Sequence, residues 1–487
     1  MITFLISLAA LVLGYLVYGR FVERIFVPDD RVTPAVAQAD GLDYVAMPYW
    51  KVFMIQFLNI AGTGPIFGAI MGAKFGPAAY LWIIFGCIFA GAVHDYFVGM
   101  LSMRNGGCDL PELVRRYLGG AASKVLLVFA VFLLIMLGTV FVYSPAEILH
   151  GISGSTTMWI TIIFIYYVVA TMLPIDKIIG KIYPLFSFSL LFMAVALMAV
   201  LFVKWPALPE LWDGVGNMGK AADPASFTDN IFPCLFITIA CGAISGFHAT
   251  QSPLMARCLT SERNGRPIFY GAMITEGLVA LVWATVSMWF FYDAPQPGYA
   301  QIGGTMANGL HTSAPVVVNL VCKDWLGIVG GVLAMLGVVA APITSGDTAF
   351  RSARLIIAQA LKLSQRAKKN RLYICVPLFA ASFAMLVWQM ENPDGFNTIW
   401  QYFGWANQTL SVFALWTITV YLVRERKPYV ITLVPALFMT CVCTTFFMVS
   451  KTALGLPYTV GYGVGATALV VAAVWFVVWM KKSNCKG

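Results

Sequence analysis

The feature that most limits how this chain can fold is an apolar, membrane-length stretch that stops being chemically helical halfway along. Phe236 to Cys258 reads FITIACGAISGFHATQSPLMARC, with Gly242, Ser245, Gly246, His248, Thr250, Gln251, Ser252 and Pro253 crowded into its middle. At bilayer depth, every backbone N–H or C=O released by an interruption must find protein, water or ligand. Interruptions of this kind line cavities. A second one, Asn59 to Pro65 (NIAGTGP), breaks another apolar stretch nearer the N-terminus. Paired interruptions in the two halves of a chain point to a transporter binding site. The alternative for each is a kinked helix that only packs.

The surroundings fit a polytopic membrane protein. Thirteen stretches are apolar enough to span, or nearly span, about 30 Å of hydrocarbon: 2–19, 50–72, 78–102, 125–143, 157–174, 184–203, 231–254, 268–291, 326–349, 373–390, 397–422, 428–449 and 458–480. Only 11% of the residues are charged, against about 25% in soluble domains. The polar intervals Gly19–Pro48, Lys204–Asn230 and Asp293–Asp324 are too short for a domain core, which excludes catalysis on a soluble appendage. Met1 to Tyr18 has its basic residues, Arg20 and Arg24, after the apolar run, so it reads as a retained span and not a signal peptide. The ten cysteines, among them Cys87, Cys234, Cys241, Cys375 and Cys441, show no C-x-x-C spacing or His/Cys cluster. No zinc site or disulfide framework is expected from them.

The net charge of +9 is explained by its placement, with no need of nucleic acid. Roughly 26 of the 31 Lys and Arg lie in alternate connections, a positive-inside bias that predicts an outside N-terminus and a cytoplasmic C-terminus. Arg351 to Arg371 has Leu and Ile at helical spacing between its cations and is expected as an amphipathic cytoplasmic helix on anionic lipid. Trp50, Trp82, Trp159, Trp325 and Trp479 lie near span ends, as interfacial anchors do.

Without the first span and the last two, ten remain, divided five plus five, and each five is led by an interrupted helix. The first interrupted helix runs outward and the second inward. The expected fold is therefore an all-α polytopic membrane protein of about 13 transmembrane helices, with a LeuT-like 5+5 inverted repeat and two broken helices. The expected organisation is an extra span and cytoplasmic loop in 1–49, the first repeat in 50–204, the second in 205–423, and two C-terminal helices with a cytoplasmic tail in 424–487. The second repeat would carry an external loop, 205–230, and the amphipathic segment 351–371.

Six runs then carry a family resemblance: NIAGTGPIFGA (Asn59–Ala69), FAGAVHDYF (Phe89–Phe97), LPIDKIIGKIYP (Leu173–Pro184), CGAISGFHA (Cys241–Ala249), ITSGDTAFR (Ile343–Arg351) and FGWANQTL (Phe403–Leu410). In this order, from about Lys51 to about Trp416, the chain resembles the carbon starvation protein A family. The resemblance implies a secondary transporter for peptides or pyruvate, used during nutrient limitation.

In a broken helix, free N–H groups at a half-helix start can hold a carboxylate, and free carbonyls at a half-helix end can hold a cation. Asn59, Gly62, Thr63 and Gly64, with Ser245, Gly246, Phe247, His248 and Gln251, form the expected substrate floor; tight packing is the other reading of the two first-break glycines. His248 is the one histidine in either broken helix, and imidazole suits proton coupling; a structural bond to a carbonyl is its alternative. Asp95, beside His94 in an otherwise uncharged span, and Asp347 are the other proton candidates. Asp95 would alternatively latch onto Arg104 or Arg351, and Asp347 would pair with Arg351 four residues on. Thr344, Ser345 and Thr348 supply the hydroxyls of a possible sodium site. Asn407, Gln408 and Glu276 read as helix-to-helix hydrogen bonds.

No cofactor is expected, only a coupling ion, H⁺ or Na⁺. The partners expected are a small solute (pyruvate, an amino acid or a short peptide) and the lipid bilayer. The leading expectation is a proton-driven symporter in the cell inner membrane, with a sodium-coupled amino-acid or peptide symporter behind it. A nutrient sensor without transport would need an output domain, which no loop is long enough to be. An intramembrane protease would need a motif such as H-E-x-x-H, and a channel would show charged rings or filter repeats; the sequence has neither.

Overall fold

The computed structural model describes residues 1–151, 153–172, 175–222, 229–293, 313–365, 367–392 and 395–484, and no strand occurs among them. Parts of the Leu173–Pro184 run, of the loop 205–230 and of the interval 293–324 lie outside the described residues. The long helices are α1 (Ile2–Phe26), α2a (Tyr49–Ile60) with α2b (Gly64–Phe75), α3 (Ala78–Arg104), α4 (Gly120–His150), α5 (Thr156–Met172) and α6 (Tyr183–Lys204). They continue with α7a (Ile231–Thr238) and α7b (Gly246–Ala256), then α8 (Glu262–Tyr292), α9 (Gly330–Ala360), α10 (Lys368–Glu391), α11 (Thr398–Arg424), α12 (Val430–Val449) and α13 (Tyr458–Lys482).

Ten of these are long and apolar enough to cross a membrane, or eleven when the bent pair α2a–α2b counts as one. The expected thirteen is not reached by that measure, because α5 has 17 residues and α7 is two short halves of 8 and 11. Both expected interruptions are present. The axis bends by 41° between α2a and α2b, and Pro65 sits in the first turn of α2b, where its missing N–H costs no helical bond. In α7 the chain is non-helical over 239–245, and Gly242 takes φ 92°, a conformation that favours glycine. The register differs from expectation: His248, Thr250, Gln251, Ser252 and Pro253 lie in helical α7b, past the break.

Side chains from neighbouring helices take up the backbone groups that the breaks release. The Trp82 indole donates to the Ile239 carbonyl (2.8 Å), Gln408 donates to the Phe236 carbonyl (2.9 Å), and the Phe247 N–H donates to Asn407 Oδ1 (2.7 Å). At the first break, the Ser345 hydroxyl reaches the Asn59 carbonyl at 2.8 Å. This satisfies the requirement of a water-free interior. It also corrects an expectation, since Trp82 and Trp325 are buried inside the protein and are not interfacial anchors.

The two breaks face each other in the centre. The Cys241 side chain lies directly over the Gly64 Cα, and Gly91 of α3 lies against the Ala243 carbonyl. Any side chain at Gly91 would push α3 off the break, so the glycine sets the distance at which α3 presents Asp95. A π-turn over Cys87–Gly91 precedes it, and the Tyr270 hydroxyl donates to the Ile88 carbonyl there (3.0 Å).

The basic end departs from the expected amphipathic surface. Residues 351–360 continue helix α9, and Arg351 and Arg354 are buried in protein. Arg354 lies 3.4 Å and Arg351 3.9 Å from the Asp43 carboxylate, and Arg351 and Arg371 also donate to the Ala170 and Met172 carbonyls at the end of α5. Helical spacing of Leu and Ile fits a protein neighbour as well as lipid, which is why the sequence misled here. At the opposite end, Lys74 in the last turn of α2b pairs with Asp229 ahead of α7a at 2.5 Å. Ion pairs thus tie both ends of the bundle.

Candidate functional site

Between those ends the structure gathers a fully buried chain of titratable groups. Asp95 of α3 receives His94 Nδ1 at 2.8 Å and His248 Nδ1 of α7b at 2.9 Å, one on each carboxylate oxygen. The far ring nitrogen of His248, Nε2, lies 3.4 Å from Glu276 of α8. All four side chains have no solvent exposure. Both Glu276 oxygens and His248 Nε2 are without a hydrogen-bond partner. With His248 Nδ1–H given to Asp95, Nε2 presents a lone pair to a carboxylate. Two acceptors at that distance repel unless a proton or another cation lies between them.

Asp95 therefore does not latch onto an arginine: Arg104 pairs with Glu262 at 3.0 Å, and Arg351 with Asp43. Glu276, read from the sequence as a helix-to-helix hydrogen bond, belongs to the site. A lone carboxylate within an apolar stretch was the available signal. His248 bonds to a carboxylate, not to a carbonyl.

Asp347 has a different partner, the Tyr183 hydroxyl of α6 at 2.7 Å, and that hydroxyl is also 3.3 Å from the Thr344 carbonyl. Beside it, Ser345 Oγ is 2.8 Å from both the Asn59 and Ala341 carbonyls, and Thr344 Oγ1 is 2.9 Å from Ala341 O. These oxygens come from the end of α2a and from α9. Thr348 is not brought in, because its hydroxyl turns back onto the Thr344 and Ser345 carbonyls.

Of the expected substrate floor, Asn59, Thr63 and Gln251 are buried with side-chain amides and hydroxyl unpaired. Buried polar groups without partners are uncommon and call for a ligand or water. Gln56 of α2a and Ser252 of α7b bond each other at 3.2 Å, tying the two half-helices together just beside them. Ser245 and Phe247 behave differently from expectation. Asn407 Oδ1 already accepts from the Phe247 N–H and from Ser245 Oγ (3.1 Å), and Gly246 is pressed against the α11 backbone. This half-helix start is capped from within the protein. Gly62 lies 3.0 Å from Ser345 Oγ, measured from an ideal Cβ position, and Gly64 under Cys241, so both glycines pack closely as their alternative reading anticipated.

Two discontinuous helices facing each other at the centre of the helix bundle are the feature expected of the LeuT-type class of membrane transporters. The manganese transporter of Eremococcus coleocola has this fold; the alignment covers 91% of this chain and 99% of that one, at 12% identity and a TM-score of 0.55. The family follows from sequence: the profile of the carbon starvation protein CstA family matches residues 1–150, 142–320 and 300–446, and the chain belongs to that family. It is similar to an uncharacterised membrane protein of Haemophilus influenzae (45% identity, covering 61% of this chain and 92% of that one). It is also similar to the peptide transporter CstA of Escherichia coli (26%; 90% and 79%) and to the pyruvate/proton symporter BtsT of the same species (29%; 69% and 56%). The protein is a multi-pass membrane transporter.

Proposed function

We propose that this chain is a proton-coupled symporter of the inner membrane that imports a small carboxylate-bearing nutrient, pyruvate or a short peptide. The observation that carries the reading is the buried Asp95–His248–Glu276 chain, which joins α3, the second broken helix and α8. A proton arriving between His248 and Glu276 removes the repulsion between facing acceptors and favours the arrangement in which α7b is docked on α8. Its departure weakens that docking, so proton occupancy biases the position of a broken helix, which is what coupling requires. Asn59, Thr63 and Gln251 would bind the polar groups of the solute. A cavity of about 270 Å³ lined by Lys74, Asp229, Gln401 and Lys451 would receive it from outside; Lys74 is already paired with Asp229, so Lys451 is the cation there that suits a carboxylate. The peptide and pyruvate transport named for the two Escherichia coli relatives supports this substrate class, and the uneven loop charge supports an outside N-terminus and a cytoplasmic C-terminus.

The test is uptake of labelled pyruvate, alanine and a dipeptide into proteoliposomes under imposed proton or sodium gradients, one at a time. Accumulation of one of them that a protonophore abolishes and sodium leaves unchanged is the expected result. A second reading, sodium coupling, has its own observation: two carbonyls and two hydroxyls, from Asn59, Ala341, Thr344 and Ser345, converge between α2a and α9, and a hard cation prefers oxygen ligands. Strict sodium dependence in the same assay would select it.

A further inference from the structure

We propose that Cys241, His248 and Glu276 form a binding site for a zinc-type divalent cation, bound where the α7 break meets α8. One ligand atom from each of the three residues lies within 4.8 Å of the others. The three come from different structural contexts: the non-helical break, the first turn of α7b and the middle of α8. None of this is visible as a sequence motif, because the three positions have no metal-site spacing.

Three observations bear on it independently. First, His248 Nε2 and both Glu276 oxygens are buried and without a hydrogen-bond partner, and the Cys241 sulfur makes only long contacts that an ion would replace, donating to Ser245 Oγ at 3.4 Å and accepting from Asn407 Nδ2 at 3.8 Å. Second, the Nε2–Oε2 separation is 3.4 Å. Tetrahedral zinc with bonds of about 2.0–2.1 Å to nitrogen and oxygen holds its ligands about 3.4 Å apart. Third, the other face of the imidazole is prepared. Asp95 takes the Nδ1–H at 2.9 Å and is itself held by His94 at 2.8 Å. A carboxylate behind a histidine fixes the tautomer and strengthens Nε2 as a ligand. Thiolate, imidazole and carboxylate together suit zinc and cadmium, and not magnesium or calcium, which take oxygen ligands.

Binding is balanced by proton release. The Cys241 thiol loses its proton to become the thiolate ligand, and the proton between His248 and Glu276 leaves, giving two protons released per ion bound. The site rests on the transport reading only for its consequence: the ion occupies the place assigned to the coupling proton, so a zinc-type cation is an inhibitor that holds α7b against α8. Binding itself can be measured without transport.

The experiment uses the full chain purified in detergent and dialysed against Zn²⁺, with Co²⁺ as the spectroscopic probe. The expected result is one ion per chain, two protons released, and a thiolate-to-metal charge-transfer band with Co²⁺. Cys241→Ser should abolish the band and weaken Zn²⁺ binding at least tenfold, Glu276→Gln should weaken it by a similar factor, and Cys375→Ser should change neither. Gel-filtration profiles report folding, and Glu276→Gln carries the test if Cys241→Ser does not fold. Unchanged binding in the folded variants, or a Co²⁺ spectrum without thiolate, overturns the site. Proton-driven uptake by a chain that binds no metal would overturn the site alone; metal binding by a chain without proton-driven uptake would overturn the transport reading alone.

Discussion

Replacing Glu276 by Gln keeps the size of the side chain and removes its charge, so it isolates what that charge does for His248. At 3.4 Å and an effective dielectric constant of about 20, the attraction between a protonated imidazole and a carboxylate is about 5 kcal/mol. Burying the carboxylate costs several kcal/mol of that, and the variant is relieved of the cost. We therefore expect the net effect to be a fraction of the direct term, but no less than about 1.4 kcal/mol, a factor of ten. The assay has two arms in proteoliposomes. Accumulation driven by an imposed pH gradient should fall at least tenfold in the E276Q protein, whereas exchange of labelled for unlabelled solute, which needs no net proton movement, should persist. Glu276→Asp, which keeps the charge, should recover part of the accumulation. If E276Q accumulates solute like the parent under a pH gradient, the buried chain does not carry the coupling proton and the argument from facing acceptors is wrong.

Four further variants follow from the geometry. His248→Ala removes the link between Asp95 and Glu276 and should abolish pH-dependent uptake in a protein that still elutes as folded; normal pH dependence would remove His248 from coupling. Ser345→Ala should leave proton-driven uptake within about twofold if the oxygen cluster is structural, but should abolish sodium-driven uptake if sodium is the coupling ion, while Asp347→Asn should abolish proton-driven uptake if the carboxylate bonded to Tyr183 carries the proton. Asp43→Asn removes the carboxylate that Arg351 and Arg354 approach; breaking one partner of a buried ion pair costs about 3–5 kcal/mol, so the apparent melting temperature in detergent should fall, and an unchanged value would show that the remaining contacts, such as Arg351 with the Ala170 carbonyl and Arg354 with Gln365, suffice to hold these arginines.

The broken helices were legible because glycine and proline inside membrane-length apolar runs have few other uses, and the alternation of loop charge did not depend on any contact. The site was legible residue by residue but not as an arrangement. His248, Asp95 and Asp347 were all identifiable as buried ionisable groups, yet the pairing of His248 with Asp95, and of Asp347 with Tyr183, is fixed by how α3, α6, α7b and α9 pack, which no spacing along the chain encodes. Glu276 is ambiguous in the sequence, because one carboxylate in a long apolar span looks the same whether it bonds a neighbouring helix or a proton. Ser245 to Phe247 looked like an open helix start, since nothing local reveals that Asn407, some 160 residues later, caps it. The burial of Arg351 and Arg354 in protein is not encoded locally, because a periodic apolar face does not say what covers it.

The sealing of the α7 break has a consequence for its dynamics. The regular helical ladder is interrupted there, and side chains from α3 and α11 hold the Phe247 amide and the Ile239 and Phe236 carbonyls. In the resting protein the Phe247 amide should therefore exchange its hydrogen for deuterium as slowly as the surrounding helix interiors, despite sitting at a chain interruption. Each transport cycle has to loosen that grip when α7 shifts against α11. The exchange rate at this one amide would then count turnovers, rising with solute and proton gradient together, and would report the working cycle without any label on the substrate.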